Sequence, residues 1–283
     1  MSKRIVIPLD GSVYSKNALE IAKRRAKNFH SKLIGMAVVD LPGIDKMFQD
    51  APFKGSKFTK GMEQGKVDEA LGKAKSFLDE FEKMCEDESI EYEIITHTGP
   101  PSEEIIEEGR TADLIILGLR TYFQYRPSEK HQSTLVRLLS HPVCPVLSIP
   151  EKFELPERTI IAYDGSVNSA KAMRAFAHLN QDFEPVSEVI LLHVTDNMEA
   201  SKKILGKSLL DKAESFLADY GMKVNKVFEK GKPHEVIKKL AKDKKPAQVV
   251  LAPYGKHGVS KYFFGNTARE LVEDGTIPLF FYL

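Results

Sequence analysis

The sequence predicts an α/β protein made of two repeated, doubly wound domains, each a five-stranded parallel sheet with helices on both faces. Three observations predict it: an internal repeat, apolar runs that alternate with longer amphipathic stretches, and enough chain for two cores. The 283 residues, 42% of them hydrophobic, exceed the about 100 to 200 that one core commonly serves.

The repeat is visible by eye. "RIVIPLDGSVYSKNALEIA" from Arg4 matches "RTIIAYDGSVNSAKAMRAFA" from Arg158, with the same DGSVxS after an apolar run, and Asp10 and Asp164 are offset by 154. "LIGMAVVD" ending at Asp40 matches "VILLHVTD" ending at Asp196, an offset of 156; "TGPPSEEII" from Thr98 matches "KGKPHEVIK" from Lys230, an offset of 132. The fall of 24 places extra chain in the first copy, and the Gly-, Pro- and Lys-rich stretch 41–66 reads as a long loop. "CPVLSI" and "IPLFFY" close the two copies. Domains therefore span 1–150 and 158–283, with 151–157, charged and ending beside a proline, as the linker.

Within the first copy, "RIVIPL", "KLIGMAVV", "EYEIITH", "ADLIILG" and "PVLSI" are near-continuous or alternating apolar runs and read as strands. "KNALEIAKRRAKNF", "KVDEALGKAKSFLDEFEKMC" and "PSEEIIEEGR" carry helical spacing. Strands of this type separated by helical crossovers make a parallel sheet covered on both faces, with ligands beyond the carboxyl ends of the strands.

Composition narrows the function. The 41 basic and 40 acidic residues nearly cancel, which argues against nucleic acid or an anionic membrane as partner. Cys85 and Cys144 form no CxxC and no His/Cys group at metal-ligand spacing, so no metal site is expected. No signal peptide or membrane-length apolar run is read, and a soluble, cytoplasmic protein is expected.

"APYGKHGVSKYFFGNTARELV", Ala252 to Val272, follows the fourth strand of the second copy and leads into a helix that Asn266 or Thr267 would cap. Gly255 and Gly265 there would let a phosphate reach free main-chain N–H groups at a helix start; alternatively, the glycines only turn the chain. Asp164 at the end of the first strand would accept from a nucleoside, or else Asp10 and Asp164 cap the helices that follow.

On these pieces, "PLDGSVYS" and "AYDGSVNS", "AVVD" and "HVTD", "TGPPSEEI" and "KGKPHEVI", and the closing runs, nearly the whole chain resembles the universal stress proteins in tandem form. The resemblance implies a Rossmann-like fold of the adenine nucleotide alpha hydrolase type and a nucleotide-binding, non-enzymatic stress protein. It also implies domains that pair through their last strands, here within one chain, with a homodimer as a further arrangement. Nucleotide-binding members carry Gly, two residues, Gly, nine residues, then Gly followed by Ser or Thr after the fourth strand. The second copy offers Ala252, Gly255, Gly265 and Asn266, with Thr267 one place on. The resemblance thus implies ATP, ADP or AMP, with or without Mg2+, held in the second domain by Asp164, Gly165, Ser166, Val194, Ala252, Gly255, Gly265, Asn266 and Thr267. The matching first-domain positions, Asp10, Val38, Gly118 and Ser133, belong to a degenerate motif: Thr121 takes the second glycine position, and Tyr122, Phe123 and Pro127 suit no open cradle. Arg120, Arg126 and Lys130 would hold phosphate there by charge, or form an exposed basic loop.

His97, His193, His234 and His257 lack catalytic partners at recognisable spacing and read as scaffold. The lysines at 238, 239, 242, 244 and 245 read as a solvated face, and Phe77, Phe81 and Phe216 as core. Two further readings stand beside nucleotide binding: a nucleotide-independent interaction scaffold that recruits through 41–65, and slow ATP hydrolysis, for which no carboxylate pair is found.

Overall fold

The computed structural model describes residues 3–49, 56–121, 134–141, 143–180, 188–196, 199–242, 246–254 and 265–282. Two compact units divide it, Met1–Cys144 and Pro145–Leu283.

In the first unit, β1 (Arg4–Leu9), β2 (Lys32–Val39), β3 (Tyr92–Thr98) and β4 (Leu114–Gly118) run parallel in the order β3-β2-β1-β4. Each inner strand is buried almost throughout, which is why these runs are apolar without alternation. The crossovers are α1 (Val13–Phe29), α2 (Leu41–Phe48), α3 (Lys57–Asp87), α4 (Pro101–Gly109) and α5 (Thr134–Ser140). β3 shows which helix covers which face. Tyr92 packs edge-on against Phe81 of α3 and donates to Glu82 at 2.8 Å, whereas His97, an odd number of residues on, meets Glu104 and Glu108 of α4. Strand side chains alternate sides, so α3 and α4 lie on opposite faces of the sheet.

The stretch 41–66 is expected from sequence to be a long loop, but its described residues, 41–49 and 56–66, are almost all helical. Asp40 caps α2 by accepting from the Gly43 N–H at 2.9 Å, with Pro42 in the first turn, where its missing N–H costs nothing. Ser56 caps α3 by accepting from the Thr59 N–H at 3.2 Å, and α3 runs 31 residues through Gly61, Gly65 and Gly72, around which there is open space. Capping and the packed C-terminal half of the helix outweigh the helix-weakening glycines that made the stretch read as loop.

In the second unit, β6 (Arg158–Ala162), β7 (Glu188–Thr195), β8 (Val224–Lys230), β9 (Ala247–Leu251) and β10 (Leu279–Phe281) run parallel in the order β8-β7-β6-β9-β10. β5 (Val146–Ile149), the closing run of the first repeat, belongs to this unit and lies antiparallel to β10, with Val146 opposite Phe281. The Ser148 hydroxyl donates to the Leu279 carbonyl at 3.2 Å. The helices are α6 (Val167–Leu179), α7 (Ala200–Ala218), α8 (Pro233–Lys242) and α9 (Asn266–Asp274). Residues 150–157 form neither helix nor strand. Of the three phenylalanines read as core, only Phe81 is fully buried; Phe216 is half-buried against Tyr220, and Phe77 faces a cleft described below.

Candidate functional site

Both DGS turns are built alike. Gly11 and Gly165 take φ values of 72° and 76°, the left-handed region that a Cβ disfavours, and a Cβ on Gly165 would also come within 2.8 Å of Leu209. The aspartates do not cap the helices. Asp10 Oδ1 accepts from the Ser12 N–H at 3.0 Å and Asp164 Oδ1 from the Ser166 N–H at 2.9 Å, which closes each turn; Ser12 and Ser166 are the caps, accepting from Ser15 and Ser169 N–H at 3.1 Å. The division of labour leaves each aspartate at the carboxyl end of a central strand.

In the second unit Asp164 and Ser166 line a cleft of about 180 Å3 together with Val194, Ala252, Gly265, Asn266 and Thr267. Of the nine second-domain residues expected from sequence, seven meet in this one place. Gly165 supplies the turn, and Gly255 lies outside the described residues, as do Lys256, His257 and Lys261. Tyr163, Leu192, Pro233, Ile237, Leu251 and Tyr254 also line it and were missed by the motif. Two of them were legible in principle: Leu192 is two residues from Val194 on the same strand face, and Ile237 is one helical turn from Pro233.

α9 opens onto the cleft without a side-chain cap. Gly265, not Asn266 or Thr267, is the N-cap residue; its N–H donates to the Pro253 carbonyl at 2.8 Å, and the Asn266 side-chain Oδ1 accepts from the Arg269 guanidinium at 3.3 Å. Asn266 sits inside the first turn, with its side chain directed along the helix toward Arg269. Among the described residues no side chain caps the first N–H groups at the positive end of this helix. Tyr254 is buried in the wall and its carbonyl accepts from Asn168 at 3.5 Å, tying the segment after β9 to α6.

His193, between the lining residues Leu192 and Val194, has a scaffold role. His193 donates from Nδ1 to the Tyr163 carbonyl at 2.9 Å and stacks on Phe228, 5.3 Å between centroids and 6° from parallel. It thereby fixes the strand end beside Asp164. Burial and then the Asp164 charge push the Tyr163 hydroxyl above its ordinary range, so it stays a donor.

In the first unit Asp10, Val38 and Arg120 line a cleft, but Gly118 has a packing role. A Cβ there would run into the Tyr14 side chain and come within 2.8 Å of its backbone carbon. Thr121 is buried and its hydroxyl donates to the Gly118 carbonyl at 2.8 Å, closing the turn on itself. Ser133, Arg126, Lys130, Tyr122, Phe123 and Pro127 lie outside the described residues.

Among the described residues no group of His, Cys, Asp or Glu could hold a metal ion, and no helix is long and apolar enough to cross a membrane. Lys238 of the basic run on α8 pairs with Asp274 of α9 at 3.0 Å. Cys85 and Cys144 are free and buried.

Against known proteins, the family model described as Universal stress protein family matches residues 1–150 and again 157–282. Universal stress protein YxiE of Bacillus subtilis (strain 168) is 24% identical over 143 residues, covering 43% of this chain and 95% of its own. Universal stress protein MJ0531 of Methanocaldococcus jannaschii is 34% identical over 119 residues, covering 41% of this chain and 64% of its own. Among solved structures, a universal stress protein from Archaeoglobus fulgidus DSM 4304 superposes with a TM-score of 0.71 at 18% identity, over 99% of this chain and 96% of that one.

Proposed function

Since this chain belongs to the universal stress protein family and carries the family domain twice, we propose that it is a cytoplasmic stress-response protein whose second unit binds an adenine nucleotide without turning it over. The observation that carries the reading is the uncapped start of α9 opening on the same cleft as Asp164. An anion is stabilised at such a helix end by unsatisfied N–H groups and by the helix dipole. Leu192, Val194, Ile237 and Leu251 give an apolar slot for a flat base, and Asp164 accepts from a sugar hydroxyl or base amine. Ala252 adds one methyl where nucleotide-binding members have glycine, and Asn266 stands where they have a hydroxyl. Neither puts bulk over the helix end. The cleft's 180 Å3 is below the about 300 to 1,000 Å3 of a complete small-molecule pocket, and suits the base and sugar rather than the whole nucleotide.

Native mass spectrometry of the purified chain, followed by calorimetric titration with AMP, ADP and ATP, tests this. Retained adenine nucleotide, or saturable binding at one site per chain lost in Gly265→Val, is the expected result. A chain that retains none and gives no heat with any of the three would refute it and leave the nucleotide-independent scaffold.

A further inference from the structure

The outer side of α3 changes character along its length. Its buried residues are Thr59, Ala70, Ala74, Leu78, Phe81 and Cys85, and on the side away from them Gly61, Gly65, Asp68 and Gly72, at intervals of four, three and four, form one exposed stripe. Lys75, Asp79 and Lys83 continue that stripe. There it is an ordinary solvated surface. Over residues 57–72 it is not: Phe58 is 78% exposed, Met62 51% and Leu71 41%, large apolar side chains that flank the stripe.

A helix face that only meets water favours neither feature. Glycine weakens a helix where alanine would strengthen it, and a clustered phenylalanine and methionine gain nothing from solvent. Both features fit a face that another helix covers, since bare glycines let a second backbone come close while the apolar side chains beside them are buried against it.

Charge identifies the covering helix. Lys57 and Lys60 lie before Gly65 and Asp68 lies after it; among the described residues no ion pair holds either lysine, and Asp68 accepts from the Gln64 amide at 2.9 Å with further acceptor sites on its carboxylate. Glu69, by contrast, is held by Lys66 and Lys73, each at 2.7 Å. A second copy of α3, laid antiparallel across a two-fold axis at Gly65, brings Asp68 of each copy beside Lys57 and Lys60 of the other. It also seats each Phe58 over the other copy's Gly72, because both lie seven residues from Gly65. A parallel copy would set lysine on lysine. We propose that residues 57–72 form a self-complementary surface through which two copies of this chain associate about that axis. A helix stretch of this length is about 24 Å long, so the contact falls near or below the about 1,200 Å2 lower bound of stable interfaces, and the dimer is a weak one. The inference uses neither cleft and no strand edge, and so stands apart from the nucleotide reading.

Sedimentation velocity of the full chain, from about 1 to 300 μM, is the test. One monomer–dimer equilibrium is expected, with a dissociation constant on the order of tens of micromolar that rises with salt. Gly65→Leu sets a better helix former in open space, and should weaken the dimer about tenfold or abolish it without lowering the urea midpoint. Asp68→Lys should weaken it about fivefold, and the reversed chain, Lys57→Glu with Lys60→Glu and Asp68→Lys, should recover the original affinity because the charges match again. The charge variants decide the matter if Gly65→Leu fails to fold. A chain that stays monomeric throughout, a dimer indifferent to Gly65→Leu or to Asp68→Lys, a reversed chain no better than Asp68→Lys, or assembly that runs past the dimer would overturn the proposal.

Discussion

His97 sits between two carboxylates of one helix, Nδ1 at 2.9 Å from Glu104 and Nε2 at 3.0 Å from Glu108, and so pins α4 to β3 at a single side chain. His97→Ala should cost about 1 kcal/mol in urea unfolding, with Gln restoring part of it by donating to one glutamate; the three groups are a fifth to a quarter exposed, which holds the figure down. Gly118 is constrained from the other direction. Because the obstacle to a Cβ includes Tyr14 backbone, Gly118→Ala should lose about 1 to 3 kcal/mol while the nucleotide binding proposed for the second unit is kept, measured by urea melts beside calorimetry. Binding lost with Gly118→Ala would instead give that glycine a ligand role. The thiols of Cys85 and Cys144 are both pushed up to about 12, chiefly by burial. A raised folded value means the neutral thiol is favoured by the fold. Its contribution is fully present below the unfolded value of about 8.5 and is lost as pH climbs toward 12. Stability should therefore fall from pH 9 upward, and a disulfide reagent at pH 8 should label neither thiol until urea unfolds the chain.

Helix ends decide the next scale. The φ of Gly265 is −61°, which any residue adopts, so glycine is not needed there for conformation. Gly265→Asp should supply the missing cap and stabilise α9 by about 0.5 to 1 kcal/mol, yet weaken phosphate binding by setting a carboxylate where the phosphate would lie. Thermal melts and AMP titration on one sample separate the two effects; a gain in both would refute the placement of phosphate at this helix. In α3, Gly61 and Gly65 have open space around them, and replacing each by Ala should add about 0.5 to 1 kcal/mol, seen as a higher melting temperature. Those same glycines explain why residues 41–66 read as loop. Local propensity pointed one way, and caps at Asp40 and Ser56 with tertiary packing further along decided the other.

Across the whole molecule, the strands and their order of succession were legible because a doubled sequence marks its own repeat and buried parallel strands leave unbroken apolar runs. The second-unit cleft was legible for a related reason: its residues sit at strand ends and at a helix start, fixed points of a doubly wound fold. The first-unit cleft was legible only in part: Asp10, Val38 and Arg120 follow from the repeat, whereas nothing in Ala70, Ala74 or Phe77 taken singly signals that α3 walls a space. Saturation with a nucleotide at a hundred times its dissociation constant should add about 2.7 kcal/mol to unfolding, and no addition would argue against a site in the folded state. The short β10 has a role beyond its three residues, because it is the partner of β9 on one side and of β5 on the other. Ser148 and Leu279 are 131 positions apart, so at about 5 to 20 residues per second the ribosome delivers β5 roughly 7 to 26 s before the segment that pairs with it. During that interval a strand that is fully buried in the folded protein waits with an open edge, and a nascent chain stalled in it would be a natural client for a chaperone.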